Sequence, residues 1–400
     1  MPTMIALCFM SSKQGFQFAS ATCGFKKTKK PDLAVIYSQV PCTYTGVFTT
    51  NQIKAACVDE NKSLLKKRKK IKAIIVNSGN ANACTGKKGI QAVKKTKQIA
   101  AKLLKIKPED VLVASTGIIG VHLDMEKMKT GLEYAIPRLH SKNLKAAARA
   151  ILTTDRFVKL ITKKTKDFKL IGFTKGAGMI HPNMATMLCF LMTDLKAPQN
   201  LLQEALKTAC DSTFNNISVD GDMSTNDMVI LLSNNQSKKE VKSKKDPLFL
   251  GFQKVLNEVC LKLAKEIVID GEGAKKIIHV IVNGAKSIID ARTIARNIAS
   301  STLFKCAIFG SDPNWGRAAA RIGCTNVKVN QNKIDMFLNN TCVFKNGNPV
   351  TFNKSSLNKQ IKNKKEVKVT VNLKLGKHSG SAFGCDLSYD YVRFNSEYFT

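Results

Sequence analysis

Thr186 follows Ala185 at the end of a stretch, Lys175 to Phe190, that reads KGAGMIHPNMATMLCF. A threonine hydroxyl is a weak nucleophile unless a base lies beside it. When the threonine becomes a chain terminus, its own α-amino group can take the proton. That amine titrates near 7.7–8.0, close to working pH. Such an enzyme must first cut itself before Thr186, its hydroxyl attacking the Ala185 carbonyl and the resulting ester being hydrolysed. Small Ala185 and the approach through Gly176 and Gly178 suit a tightly turned backbone at that bond. A buried strand entered through a loop is the other reading of the same residues. A second pair, Thr116-Gly117, offers a hydroxyl and a closely approaching backbone, the donor types that stabilise a tetrahedral oxyanion. On spacing alone, a turn at the end of a strand accounts for that pair as well.

Further stretches recur in order along the chain: GVFTTN (Gly46–Asn51), VNSGNANACTG (Val76–Gly86), STGIIG (Ser115–Gly120), TTD (Thr153–Asp155), DGDMSTND (Asp220–Asp227), DGEGAKK (Asp270–Lys276), GSDPNWGR (Gly310–Arg317) and the terminal SYDYVRFNSEYFT. With the Lys175–Phe190 stretch, they resemble the ornithine acetyltransferase (glutamate N-acetyltransferase) family of arginine biosynthesis over nearly the whole chain. His181 and Met223 depart from that family's usual small residue and threonine.

The resemblance implies self-cleavage between Ala185 and Thr186, into pieces 1–185 and 186–400. It implies a ping-pong reaction in which Thr186 takes the acetyl group of N-acetylornithine and passes it to glutamate. Acetyl-CoA is a second donor in some members. Thr116 and Gly117 become the oxyanion hole. Thr154, Lys175, Glu272, Asn395 and Thr400, with Thr186, become the amino-acid site. Lys175 suits a carboxylate and Glu272 an ammonium. No cofactor and no metal is required, and two α and two β pieces assemble as a heterotetramer.

The elements that must position these residues are legible in part. IKAIIV (Ile71–Val76) and Val111–Ala114 read as buried strands, as does the apolar run after Thr186. Leu33–Tyr37 and Thr45–Thr49 read as short strands, and Met228–Leu232 and Ile277–Val282 as further ones. Helices are predicted over Ile90–Lys105, Met125–Tyr134 with Asp124 as its cap, Leu144–Leu152, Leu201–Phe214, Leu248–Ile267 and Ala291–Ser300. Asp312–Arg317, with the only tryptophan, reads as a turn-rich loop. Val367–Leu375 alternates apolar and polar residues, one face wet and one buried. The fold class expected is α+β: a layered α/β/β/α core over 1–270, as in the family, with a smaller C-terminal α/β domain over 271–400.

Composition bounds the rest. Four hundred residues exceed one usual core, and 44% hydrophobic content is that of a globular protein. No run approaches the ~20 apolar residues of a membrane helix, and MIALCFM lacks a basic flank, so a cytoplasmic location without membrane attachment is expected. The 12 cysteines are scattered without metal-ligand spacing. The formal charge of +35 rests on lysine clusters at 66–70, 163–166, 238–245 and 362–368. Arginine, the preferred reader of phosphates and base edges, is scarce, so a solvated surface is expected rather than specific nucleic-acid binding. The competing function classes are an N-terminal-nucleophile aminopeptidase or amidase, in which water resolves the acyl-enzyme, and a basic nucleic-acid-binding protein.

Overall fold

The computed structural model describes residues 15–68, 70–181 and 187–397. Ala185, Thr186, Thr400 and the MIALCFM run lie outside the described residues.

The first sheet begins with β1 (Phe16–Ala21), β2 (Leu33–Phe48), β3 (Lys70–Asn80), β4 (Val111–Ile118), β5 (Lys159–Lys164), β6 (Lys169–Lys175) and β7 (Leu188–Thr193). After the two-residue β8 (Ile217–Ser218), β9 (Met228–Ser233) completes it, in the order β4-β3-β2-β9-β7-β6-β5 with β1 on β2. The helices of this half are α1 (Ala56–Lys67), α2 (Gly86–Leu104), α3 (Met125–Ala135), α4 (Leu144–Ala150), α5 (Gln199–Ser212) and α6 (Pro247–Ile269). Asp124 caps α3 as expected, its carboxylate accepting from the Glu126 and Lys127 N–H groups, a contact worth about 1 kcal/mol.

β2 is the joint of the sheet. The two short strands expected there are one long strand, whose first part pairs with β1 and β3 and whose last part pairs with β9. Its pairing with β3 shifts register between Tyr37 and Cys42, across Pro41, which has no N–H for the ladder. The two halves of the sheet thus share one buried cluster. Phe18, Ile36, Val76 and Ala114 from the first half meet Phe173, Phe190, Met192 and Ile230 from the second. The outer face of the first half packs on α2 and α3, and that of the second on α5 and α6. This is the helix, sheet, sheet, helix layering of an α+β fold. Burial on both faces explains why these strands read as unbroken apolar runs.

The second sheet follows from β10 (Ile277–Ala285), β11 (Asp335–Leu338), β12 (Thr341–Lys345), β13 (Asn348–Pro349), β14 (Glu366–Asn372) and β15 (His378–Cys385). Its order is β13-β12-β11-β14-β10-β15-β8. It shares a core with α7 (Ile288–Ala299), α8 (Thr302–Phe309), α9 (Trp315–Gly323) and α10 (Lys354–Asn363), and α11 (Tyr389–Glu397) closes the described chain. α6 joins the two sheets: Val259, Leu263 and Ile267 pack with Leu170 and Leu191 of the first and with Phe383 and Cys385 of the second. β14 alternates as predicted but stops at Asn372, because Lys374 turns to φ +55°. Trp315 opens α9 instead of sitting in a loop, its ring 5.1 Å from that of Phe344.

The described lysines of these clusters are all exposed. Among the described residues, no helix is long and apolar enough to cross a membrane.

Candidate active site

β3 and β4 run parallel, with Ser78 opposite Thr116 and Gly79 opposite Gly117. Gly117 has φ +132°, and a Cβ there would lie 2.3 Å from the Gly79 carbonyl carbon. Only glycine fits, and the two backbones meet at closest approach where Thr116 presents its hydroxyl. Asn226, from the turn before β9, donates to the carbonyls of Ala81 at 2.7 Å and Ser115 at 2.8 Å. That side chain ties the end of β4 to the facing half of the sheet.

β6 delivers Lys175 to the same point. Its Nζ donates to Thr116 Oγ1 at 3.3 Å, and the residue is only 3% exposed. Burial holds the Lys175 ammonium below its ordinary range, although Asp155 opposes the shift. Asp155 Oδ1 accepts from Lys159 Nζ and from the Gly176 N–H, each at 2.7 Å, and Oδ2 accepts from the Thr153 N–H at 3.0 Å. Burial alone would raise the Asp155 carboxyl, but Lys159, Lys175 and the Gly176 N–H outweigh it and hold the group below the usual carboxylate range. Lys159 also pairs with Asp270, which takes the Arg156 Nε at 2.9 Å. Thr154 therefore sits in a segment fastened on both sides.

Asp270 ends α6, and the chain turns there to bring Glu272 inward. The Glu272 N–H donates to the Ala177 carbonyl at 2.9 Å. A Cβ on Gly178 would come within 2.5 Å of the Glu272 carboxylate, so that glycine leaves room for the acid. Asn395 of α11 donates from Nδ2 to Glu272 Oε2 at 3.0 Å. Thr116, Gly117, Thr154, Lys175, Glu272 and Asn395 all line one cleft of about 1290 Å³. The predicted site residues that fall within the described chain are thus brought together.

The strands flanking the proposed cut pair directly, Lys175 opposite Leu188. Met187 is held twice: its N–H donates to Asp227 Oδ1 at 2.8 Å, and its carbonyl accepts from the Met228 N–H at 3.1 Å. Burial pushes the Asp227 carboxyl well above its ordinary range. His181 Nδ1 lies 3.3 Å from Ser218 Oγ, and Met223 accepts from Asn51 Nδ2 through its carbonyl at 3.0 Å.

Sequence reasoning gave no role to Asp155, Asp270, Asn226 or Asp227, although each sits inside one of the quoted motifs. Lys159 carried no signal, since nothing distinguishes a buried lysine from its exposed neighbours until Asp155 and Asp270 enclose it.

The ArgJ family model matches residues 17–400. A relative from Caldanaerobacter subterraneus subsp. tengcongensis, named arginine biosynthesis bifunctional protein ArgJ, is 45% identical over 395 residues, covering 97% of each chain. A relative of the same name from Synechocystis is 41% identical over 403 residues, covering 98% of each. The crystal structure of the ArgJ protein from Bacillus halodurans is 41% identical with a TM-score of 0.50, covering 51% of this chain and 96% of that one. With its motifs gathered in one cleft and the match running almost end to end, the chain belongs to the ArgJ family.

Proposed function

We propose that the protein transfers an acetyl group from N-acetylornithine to glutamate, through an acetyl ester on Thr186. The chain first cleaves before Thr186, giving pieces 1–185 and 186–400. Pairing of β6 with β7 would keep the two pieces in one core. The solved Bacillus halodurans chain spans about half of this one, which supports the division.

In the first half-reaction, the Thr186 hydroxyl attacks the acetyl carbonyl of N-acetylornithine and its α-amine takes the proton. The Thr116 hydroxyl and the backbone at Gly117 stabilise the oxyanion. The C–N bond breaks, the amine returns the proton to the leaving nitrogen, and ornithine departs. Glutamate's amine then attacks the ester, and Thr186 recovers its proton. Lys175 binds the α-carboxylate, Glu272 the substrate's amino group, and Thr154, Asn395 and Thr400 complete the hold. None of these steps needs a cofactor. We further assign the core to residues 1–270 and the smaller domain to 271–400, with two copies of each piece per assembly, in the cytoplasm.

The observation that carries this reading is the convergence of Thr116, Gly117, Lys175, Glu272 and Asn395 on one cleft beside the anchored Met187. The test is an exchange assay with acetyl-labelled N-acetylornithine and glutamate. Label in N-acetylglutamate is expected, with a labelled fragment beginning at Thr186 when glutamate is withheld. Label appearing only in free acetate would make the protein an amidase. The same assay with acetyl-CoA as donor reads the second donor.

A further inference from the structure

Among the described residues, no carboxylate forms an ion pair with Lys26, a cation in the cleft. Its backbone lies directly beside the proposed oxyanion site. A Cβ on Gly79, opposite Gly117, would touch the Phe25 carbonyl at 2.8 Å and the Lys26 nitrogen at 3.0 Å. The loop is fastened by buried Asp32, whose carboxylate accepts from the N–H groups of Cys23, Phe25 and Lys26 at 2.6, 2.6 and 3.2 Å. That carboxylate is spent on backbone. The Lys26 ammonium instead donates to two main-chain carbonyls, Pro31 at 2.7 Å and Ala150 at 3.3 Å. Lys26, Lys30, Lys145 and Arg149 all line the cleft.

The two amino acids that must use this cleft differ at their far ends. Glutamate ends in a carboxylate and ornithine in an ammonium. We propose that Lys26 is the specificity residue for the far end of the amino acid, binding the side-chain carboxylate of the acceptor. The same pair of carbonyls, Pro31 and Ala150, accepts the side-chain ammonium of the donor. This deepens the acetyl-transfer reading and rests on it.

The charge balance around Lys26 fits such double use. Burial lowers its pKa to about 8; Asp32 and Asp155 oppose the shift, while Lys175 and Lys30 add to it, and Lys27, Lys29, Lys145, Arg149 and Arg156 are further cations lining the cleft. The ammonium is thus charged at neutral pH, when it must hold a carboxylate. It gives up its proton more readily than an ordinary lysine when a second ammonium arrives.

The experiment measures KM for glutamate and for N-acetylornithine separately in wild type, Lys26→Met and Lys26→Arg, between pH 7 and 9. Lys26→Met is expected to raise the glutamate KM on the order of 10- to 100-fold, the worth of one charged hydrogen bond, and to move the N-acetylornithine KM far less. Lys26→Arg, permanently charged, is expected to hold glutamate well and to weaken N-acetylornithine. In wild type, the glutamate KM should rise above about pH 8, and Lys26→Arg should remove that rise. Acetyl-Thr186 formed from N-acetylornithine is recorded by mass in every variant. If it forms normally while neither substitution separates the two KM values, the Lys26 assignment falls and acetyl transfer stands. If wild type forms no acetyl-Thr186, both fall.

Discussion

Lys175 Nζ and Thr116 Oγ1 meet at 3.3 Å, one from each half of the folded sheet. A buried ammonium beside a hydroxyl makes that hydroxyl a better donor toward developing negative charge, since fixed dipoles count for more away from water. Thr116→Ala should therefore lower kcat by about 10²–10³-fold, the scale for one lost oxyanion donor. KM should change little, because the interaction forms in the transition state. A raised KM with kcat unchanged would move Thr116 from oxyanion stabilisation to substrate binding.

Gly117→Ala should fail differently. Its Cβ would meet the Gly79 backbone at 2.3 Å, at a φ that side-chain residues rarely adopt. Strain of about 1–3 kcal/mol or more is expected, seen as a lower urea midpoint as well as lower kcat. A variant as stable as wild type would show that the two strands can separate there without cost.

Asp155 is the charge that holds Lys159 and the Lys175–Gly176 turn together. Asp155→Asn should cost about 3–5 kcal/mol at neutral pH, the usual penalty for breaking a buried ion pair. The folded carboxyl titrates below its ordinary value, so its stabilisation is full above about pH 4 and is lost as pH falls through the lowered value. Wild type should lose stability in acid over that window, and the variant should show a flatter profile there. Parallel profiles would remove Asp155 from the account of acid stability.

Removing residues 395–400 should abolish transfer and leave self-cleavage intact. Cleavage needs only the folded junction, whereas transfer also needs the amino acid held in place, where a small misplacement costs about 10²-fold. Asn395 sits on Glu272 at 3.0 Å, so the truncation also frees that carboxylate. A gel of the fragments and the exchange assay score the two outcomes independently. Full activity would return the terminus to an ordinary tail.

Much of this was legible before the fold. Thr116, Gly117, Thr154, Lys175, Glu272 and Asn395 were singled out by the resemblance of the ordered motifs to a known family, and the fold gathers them along one cleft. The buried strands showed as apolar runs, since both faces are covered. The continuity of β2 was not legible: a strand whose register shifts across Pro41 reads as two strands with a gap. Nor was the Asp155–Lys159–Asp270 network, whose members lie 111 residues apart in the case of Lys159 and Asp270. Lys26 opens a run with Lys27, Thr28, Lys29 and Lys30, and only the Gly79 contact and an ammonium held by two main-chain carbonyls single it out.

In the proposed reaction Thr186 is both the new chain terminus and the acetyl carrier. Intact mass and N-terminal sequencing of the purified active protein, beside Thr186→Ala, test it most directly. Two fragments are expected, 1–185 and 186–400, the second starting at Thr186 and gaining an acetyl group from N-acetylornithine, while Thr186→Ala stays whole and inactive. An uncut chain with full exchange activity, or a Thr186→Ala variant exchanging at the wild-type rate, would contradict it.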